Sequence, residues 1–387
     1  MKRKIRMGMV GGGQGAFIGA VHRMAATLDG HIELVCGAFS STPEKSKESG
    51  KALYLPEDRA YGDFQEMIER EKALPEDTRM DFISIVTPNY MHFPPAKLAL
   101  VNGFHVVSDK PATFTLEEAK ELQTLVESTG LLYALTHNYT GYPMVKEAKH
   151  LVSSGKLGNI RKVVVEYPQG WLAQKLEAEG QKQASWRTDP KRAGISNCMG
   201  DVGTHAENLA EYITGLQITE LCADLTAFGE GRELDTDGNV LLRFNNGARG
   251  VLHASQISVG EENAFKIYVY GEKGGIEWHQ MSPNTLLVKW PDRPVEIYRT
   301  GGDHGYLSDH AMHNTRLPAG HPEGYIEAFA NLYRNVALTL QARLSDEEVP
   351  PYADDFPMIE DAVRGMAFVK NVVESSKSDQ KWYPFTI

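Results

Sequence analysis

The apolar run Ile5 to Val10 stops on Gly11-Gly12-Gly13 and, through Gln14-Gly15-Ala16-Phe17-Ile18, passes into Gly19 to Leu28, a segment with helical spacing. Few local structures accept this grammar. A strand that ends in glycines and turns into a helix lets backbone N–H groups approach a pyrophosphate, because no Cβ intervenes and the helix N-terminus carries partial positive charge. The spacing is stretched relative to G-x-G-x-x-G. Gly11 and Gly13 supply the first two glycines, position 16 is Ala16, and Gly19 is the best third. A flexible glycine-rich loop is the competing reading.

The next hundred residues alternate strand-like and helix-like segments, the pattern of a parallel sheet wrapped by helices. His31 to Phe39, Asp81 to Val86, His105 to Ser108 and Leu131 to Leu135 read as further strands. Pro43 to Leu53, Phe64 to Glu71, Pro95 to Asn102 and Leu116 to Thr129 read as helices. After Asn138 the pattern changes. A helix at Met144 to Ser153 leads into the strand-like Lys162 to Tyr167, and another helix follows Gly203. Strands then dominate: Leu221–Phe228, Val240–Phe244, Ala248–Gln256, Phe265–Tyr270, Ile276–His279 and Leu286–Trp290. Tight turns at Asn245-Asn246-Gly247 and Glu272-Lys273-Gly274-Gly275 predict a largely antiparallel sheet. Helices return at Tyr325–Leu340 and Asp355–Ser375. The expected division is 1–138, a dinucleotide-binding domain, and 139–387, an α+β domain whose last helices can pack back on the first.

At 387 residues the chain is long enough for two domains with substantial cores. Its net charge of −11 argues against a general nucleic-acid surface or an anionic membrane as partner. The three cysteines, Cys36, Cys198 and Cys222, are too scattered for a disulfide framework or a thiolate metal cluster. The basic start Met1 to Lys4 is followed by an apolar run that the glycine turn interrupts before a signal-peptide core forms. No stretch approaches a membrane span. The expected protein is cytoplasmic, with no nucleic-acid or membrane partner.

In a doubly wound sheet, ligands sit at the carboxyl ends of the strands. Three such ends carry chemistry here: the glycine turn, Thr87-Pro88-Asn89 with His92, and Ser108-Asp109-Lys110-Pro111. Lys110 is either an ammonium presented to a substrate oxygen or an exposed loop lysine. A second group is Gly200-Asp201-Val202-Gly203-Thr204-His205. On one helix, the i, i+4 spacing of Asp201 and His205 puts both on one face, where the carboxylate fixes the tautomer of a general base. The plainer reading is Asp201 as a helix cap beside a surface histidine. His304, His310 and His313, with Asp303 and Asp309, form no recognisable metal motif, and no metal is expected.

Taken in order, the glycine turn, Thr87-Pro88-Asn89 with His92, Asp109-Lys110-Pro111, Trp186-Arg187 and Gly200 to His205 resemble the glucose–fructose oxidoreductase and inositol dehydrogenase family over nearly the whole chain. The resemblance implies an N-terminal Rossmann-like doubly wound parallel sheet and a C-terminal α+β domain with a large open, mostly antiparallel sheet. It implies NAD or NADP as cofactor, a small polyol, sugar or glycoside as substrate, and a homo-oligomer, dimer or tetramer, formed through the open sheet. Lys110, Asp201 and His205 match the family's catalytic lysine, aspartate and histidine. Gly11, Gly13, Phe17, Ile18, Ser40, Thr87, Asn89, His92, Asp109 and Lys110 are the expected cofactor residues; Asn138, Tyr139, Trp186, Arg187 and His321 are the expected substrate residues. Two departures stand out. The arginine that relatives carry after Asn138 is absent from His137-Asn138-Tyr139-Thr140-Gly141-Tyr142, and no acid follows the second strand at Ala38-Phe39-Ser40-Ser41. The second departure leaves the choice between NAD and NADP open. The implied reaction is hydride transfer from a secondary hydroxyl, with transient oxidation in a glycosidase or a non-catalytic sugar sensor as the alternatives.

Overall fold

A computed structural model describes residues 3–387. The chain divides into two compact units, one comprising 1–138 and Tyr325–Val363, the other Tyr139–Gly324 and Arg364–Ile387. The late segment Tyr325–Val363 thus groups with the first unit, where chain order alone assigns it to the second.

The first unit is built on five parallel strands, β1 (Ile5–Gly11), β2 (Ile32–Ala38), β3 (Phe82–Val86), β4 (His105–Ser108) and β5 (Tyr133–Leu135), in the order β2-β1-β3-β4-β5. All pairings are parallel, so all five carboxyl ends share one edge, and the order reverses between β1 and β3. That switch point is where open α/β sheets bind ligands. β1 and β3 are buried almost throughout, which explains their near-continuous apolar sequences. The Phe17–Leu28 helix packs against the Tyr325–Leu344 helix, and Phe329, Tyr333, Val336 and Leu340 share a core with Met7, Met9, Val21 and Phe82. The Leu116–Thr129 helix begins with a capping box at Thr115 and Glu118 and ends on Gly130, at the residues the sequence indicates.

The second unit carries nine strands: β6 (Ile160–Pro168), β7 (Ile218–Thr226), β8 (Asp237–Phe244), β9 (Arg249–Ser255), β10 (Lys266–Gly271), β11 (Gly275–His279), β12 (Thr285–Lys289), β13 (Glu296–Arg299) and β14 (Tyr383–Pro384). Their order is β13-β12-β11-β10-β6-β9-β8-β7-β14. Every pairing is antiparallel except β6 with β9. That one parallel pair escapes a reading based on hairpins, because the helical segments between 176 and 214 and the β7–β8 hairpin separate β6 from β9. β13 and β14 lie outside the strands that the sequence pattern predicts; both are short edge strands, and β14 contains a proline, as an edge strand tolerates. Burial alternates along β8 and β9, the signature of a sheet with one covered face.

Candidate active site

The glycine turn is shaped for close backbone approach. Gly11 and Gly12 have φ of 83° and 72°, a region L side chains rarely enter. A Cβ on Gly19 would lie 2.3 Å from the Gly12 Cα, so the helix seats directly on the turn. This is the packing role of the third glycine, performed by Gly19 where position 16 is alanine. Arg23, one turn further along the helix, donates to the Gly12 carbonyl at 2.7 Å and fixes the turn from behind. Ala16 at the N-cap supplies no side-chain acceptor to the first-turn N–H groups, and the space around Gly15 is open. Uncapped donors at a positive helix end, with no Cβ in front of them, fit a pyrophosphate. Phe17 is 72% exposed beside them and Ile18 half-buried.

At the end of β2, Ser40 accepts a hydrogen bond from the Thr42 N–H at 3.2 Å and carries no charge. Lys45 and Lys47 are exposed on the following helix. At the end of β3, the Thr87 hydroxyl donates to the Met91 carbonyl at 2.9 Å and shapes the Asn89–Met91 turn.

His92 is buried, its Nδ1 2.7 Å from the Pro111 carbonyl and its Nε2 2.7 Å from that of Thr87. The ring therefore ties the β3 end to the turn that carries Lys110; both nitrogens face backbone, leaving neither for the cofactor contact expected from sequence. Two acceptors ask for two N–H donors, which only a protonated ring has. Burial nonetheless holds its pKa below the ordinary value, against the upward pull of Asp109 and the two carbonyls.

Asp109 accepts from the Lys110 N–H at 2.9 Å and the Thr136 hydroxyl at 3.0 Å. Burial opposes its ionisation, but His22, Lys110 and His92 outweigh burial and hold the carboxyl at about 2. His22 lies 3.9 Å from it, outside hydrogen-bond range, and is fixed from the other side by Tyr333 Oη at 2.7 Å. That hydroxyl also meets Ser84 Oγ at 2.8 Å. None of His22, Ser84 and Tyr333 was legible as part of the site. Lys110 is half-buried and follows this anchored carboxylate directly. His137 is buried, and burial, with Lys110 nearby, pushes its pKa down to about 3. Asn138 is also buried, and its Nδ2 has no hydrogen-bond partner among the described residues.

In the second unit, Asp201 lies on a π-helical turn, Met199–Gly203, that runs straight into the Thr204–Thr214 helix carrying His205. Such turns concentrate at functional sites. Asp201 does not serve as the N-cap: its Oδ2 accepts from Gln256 Nε2 at 2.8 Å and Arg187 Nε at 3.2 Å. His205 is 6% exposed and meets the Tyr139 ring edge-on at 4.8 Å. The Tyr139 hydroxyl bonds Tyr167 and accepts from Asn263 at 3.2 Å, and its pKa is raised by burial. Trp186 is half-buried, its indole N–H donating to Gln183 at 3.1 Å, and Arg187 stacks on it at 4.2 Å. His321 is exposed on the loop before Tyr325. His304 stacks on Tyr306 at 4.8 Å and His310 lies 6.2 Å from His150. No group of three metal-ligating side chains occurs among the described residues, and no described helix is long and apolar enough to cross a membrane.

Residues 5–137 match the oxidoreductase family with an NAD-binding Rossmann fold, and 145–277 match the GFO/IDH/MocA C-terminal domain. An uncharacterised oxidoreductase of Bacillus subtilis (strain 168) is 32% identical over 391 residues, covering 100% of this chain and 98% of the relative. The chain belongs to this oxidoreductase family. The crystal structure of an inositol dehydrogenase homolog from Azotobacter vinelandii complexed with NAD+ superposes with a TM-score of 0.92 at 34% identity, covering 99% of this chain and 98% of that one. A homolog structure from the same organism with NADH and myo-inositol gives a TM-score of 0.91 at 33% identity, with the same coverage. Levoglucosan dehydrogenase of Pseudarthrobacter phenanthrenivorans is 25% identical over 334 residues, 79% of this chain and 82% of the relative.

Proposed function

We propose that the protein oxidises a secondary hydroxyl of a cyclitol, sugar or glycoside and reduces a nicotinamide dinucleotide, reversibly. The supporting observation is similarity along the whole chain to an inositol dehydrogenase homolog complexed with NADH and myo-inositol, with Lys110, Asp201 and His205 all present. The glycine turn with Phe17 and Ile18, the β3 end at Thr87 and Asn89, and Ser40 at the β2 end would hold the dinucleotide. A nicotinamide dinucleotide held there would supply the acceptor for the hydride that leaves the carbinol carbon. His205 takes the hydroxyl proton, a step worth roughly 10²–10⁴-fold from a placed base. The Lys110 ammonium stabilises the negative charge that develops on the oxygen. Asp201 orients the histidine or the substrate. Ser40 puts no carboxylate against a 2′-phosphate, so either NAD or NADP is compatible with the β2 end.

Incubating the protein with NAD or NADP and a series of inositols, aldoses and glycosides, and following reduced-nicotinamide absorbance, tests the reading. Net reduction with at least one neutral polyol is expected. Release of the aglycone without net reduction would replace it with a glycosidase. The exposed Leu241, Tyr270 and Ile297 on strands of the nine-stranded sheet further support a homo-oligomer, dimer or tetramer, through that face. Sedimentation of wild type against Leu241→Asp checks this, with dissociation expected.

A further inference from the structure

Asp201 is held from two distant segments. Gln256, fully buried just past β9, donates Nε2 to Asp201 Oδ2 at 2.8 Å, and its own Oε1 accepts from Asn197 Nδ2 at 2.8 Å. Because the Asp201 carboxylate can only accept, the Gln256 amide must turn its nitrogen to it, which leaves the amide oxygen to accept from Asn197. Arg187 approaches the same oxygen with Nε at 3.2 Å while Nη1 donates to Gln183 Oε1. The guanidinium lies over Trp186 at 4.2 Å and near Trp171 at 5.9 Å. The side chains of Arg187 and Asp201 are 22% and 18% exposed, so water screens this ion pair only in part.

We infer that Arg187 and Gln256 are positioning residues for Asp201, the arginine pairing with its charge and the glutamine setting its orientation, and that the site selects substrates without a charged substituent at this place. The inference rests on the proposed function, in which Asp201 acts beside the reacting hydroxyl. Arg187 was expected to meet the substrate. With two of its nitrogens committed and its plane stacked on indole, it is poorly placed to anchor an anion. A phosphate or carboxylate arriving there would compete with the Asp201 carboxylate for the same guanidinium and be repelled by it.

The two residues predict separable effects. Arg187→Met removes the cation beside Asp201, one helical turn from the proposed base His205, so the acid limb of the kcat profile moves up by about one pH unit, and kcat falls about tenfold on that limb well below the wild-type midpoint. Arg187→Lys keeps the charge without the planar fork and leaves the acid limb in place. Gln256→Leu lowers kcat without moving the limb and with KM within twofold. A ¹³C titration of the Asp201 carboxyl in wild type and Arg187→Met reads the same linkage without turnover; the carboxyl is expected to titrate higher in the variant. Unchanged titration, or an unchanged limb with an unchanged kcat, overturns the inference. So does efficient oxidation of glucose 6-phosphate whose KM rises selectively in Arg187→Met, since that is the behaviour of an anion anchor. If Arg187→Met does not fold, a shifted limb in Arg187→Lys overturns the inference equally. Should Asp201→Asn retain full turnover, the proposed function loses its aspartate, while the carboxyl titration still decides whether Arg187 holds it.

Discussion

The two candidate clusters are built by opposite means. In the first unit, chemistry sits at the carboxyl ends of parallel strands, and backbone does most of the holding: His92 is fixed by two carbonyls and Asp109 accepts the N–H of its own neighbour. In the second, Asp201 depends on side chains from elsewhere, Gln256 lying 55 residues away in sequence. A parallel sheet delivers its strand ends to one edge whatever residues occupy them, whereas a helix beside an antiparallel sheet aligns its functional groups only through particular long-range partners. The first arrangement therefore tolerates divergence around a few fixed residues, and the second should fail when a remote partner changes.

The largest test is Lys110→Met. Loss of the ammonium should lower kcat about 10²–10³-fold, as for removal of an oxyanion donor, with dinucleotide binding, measured by fluorescence titration, largely kept. Retained turnover would reduce the first unit to a dinucleotide cradle and move all the chemistry to the second.

The next is structural. Tyr333→Phe removes the hydroxyl that joins His22 and Ser84, leaving both buried groups short of a partner, at a cost of about 1–3 kcal/mol. Thermal unfolding should register it as a lowered Tm with kcat intact. A comparable loss of kcat would mean the His22–Asp109 pair positions Lys110, making the first unit as dependent on remote partners as the second.

These tests also mark what the sequence could disclose. The glycine turn, Thr87-Pro88-Asn89, Asp109-Lys110 and the Asp201–His205 spacing are legible because each is local: a strand end or a helical repeat fixes its geometry. The strand pattern of both sheets is legible for the same reason, apart from the parallel β6–β9 pair and the short edge strands β13 and β14. The partners are not. Tyr333 lies 311 residues from His22, and nothing in the Tyr325–Leu344 helix distinguishes a tyrosine that completes a buried network from one that merely packs. Arg187 stands out in the sequence, but only the fold gives its guanidinium an internal carboxylate as partner.

A smaller effect sharpens the dinucleotide question that Ser40 leaves open. Ser40→Asp introduces an acceptor suited to a ribose hydroxyl and hostile to a 2′-phosphate. The ratio of kcat/KM for NAD over NADP should rise about tenfold, equivalent to about 1.4 kcal/mol. An unchanged ratio would place the adenosine ribose away from the β2 end.

The effect expected to vanish at neutral pH concerns acid stability. His105, at the start of β4, accepts the Leu132 N–H on Nδ1 at 2.9 Å, and burial, then the charge of Arg343, lowers its pKa to about 4 against the upward pull of Asp81. The unfolded chain thus binds a proton near pH 6.5 that the folded chain refuses until about pH 4, so stability must fall as the pH drops through that window. At most this contributes about 1.4 kcal/mol per pH unit. Asp109, held at about 2, adds its own loss only below the ordinary aspartate value of 3.8. Asp235 of the second unit has the opposite sign: burial raises its pKa despite the Met199 and Asn197 N–H groups it accepts, so its linkage favours the folded state as pH falls. His105→Asn retains an acceptor for Leu132 but has no proton to gain. Urea unfolding between pH 7 and pH 4 should therefore show a flatter pH dependence for the variant, with equal stabilities at pH 7, and parallel curves would mean that His105 is as protonatable in the folded sheet as in the open chain.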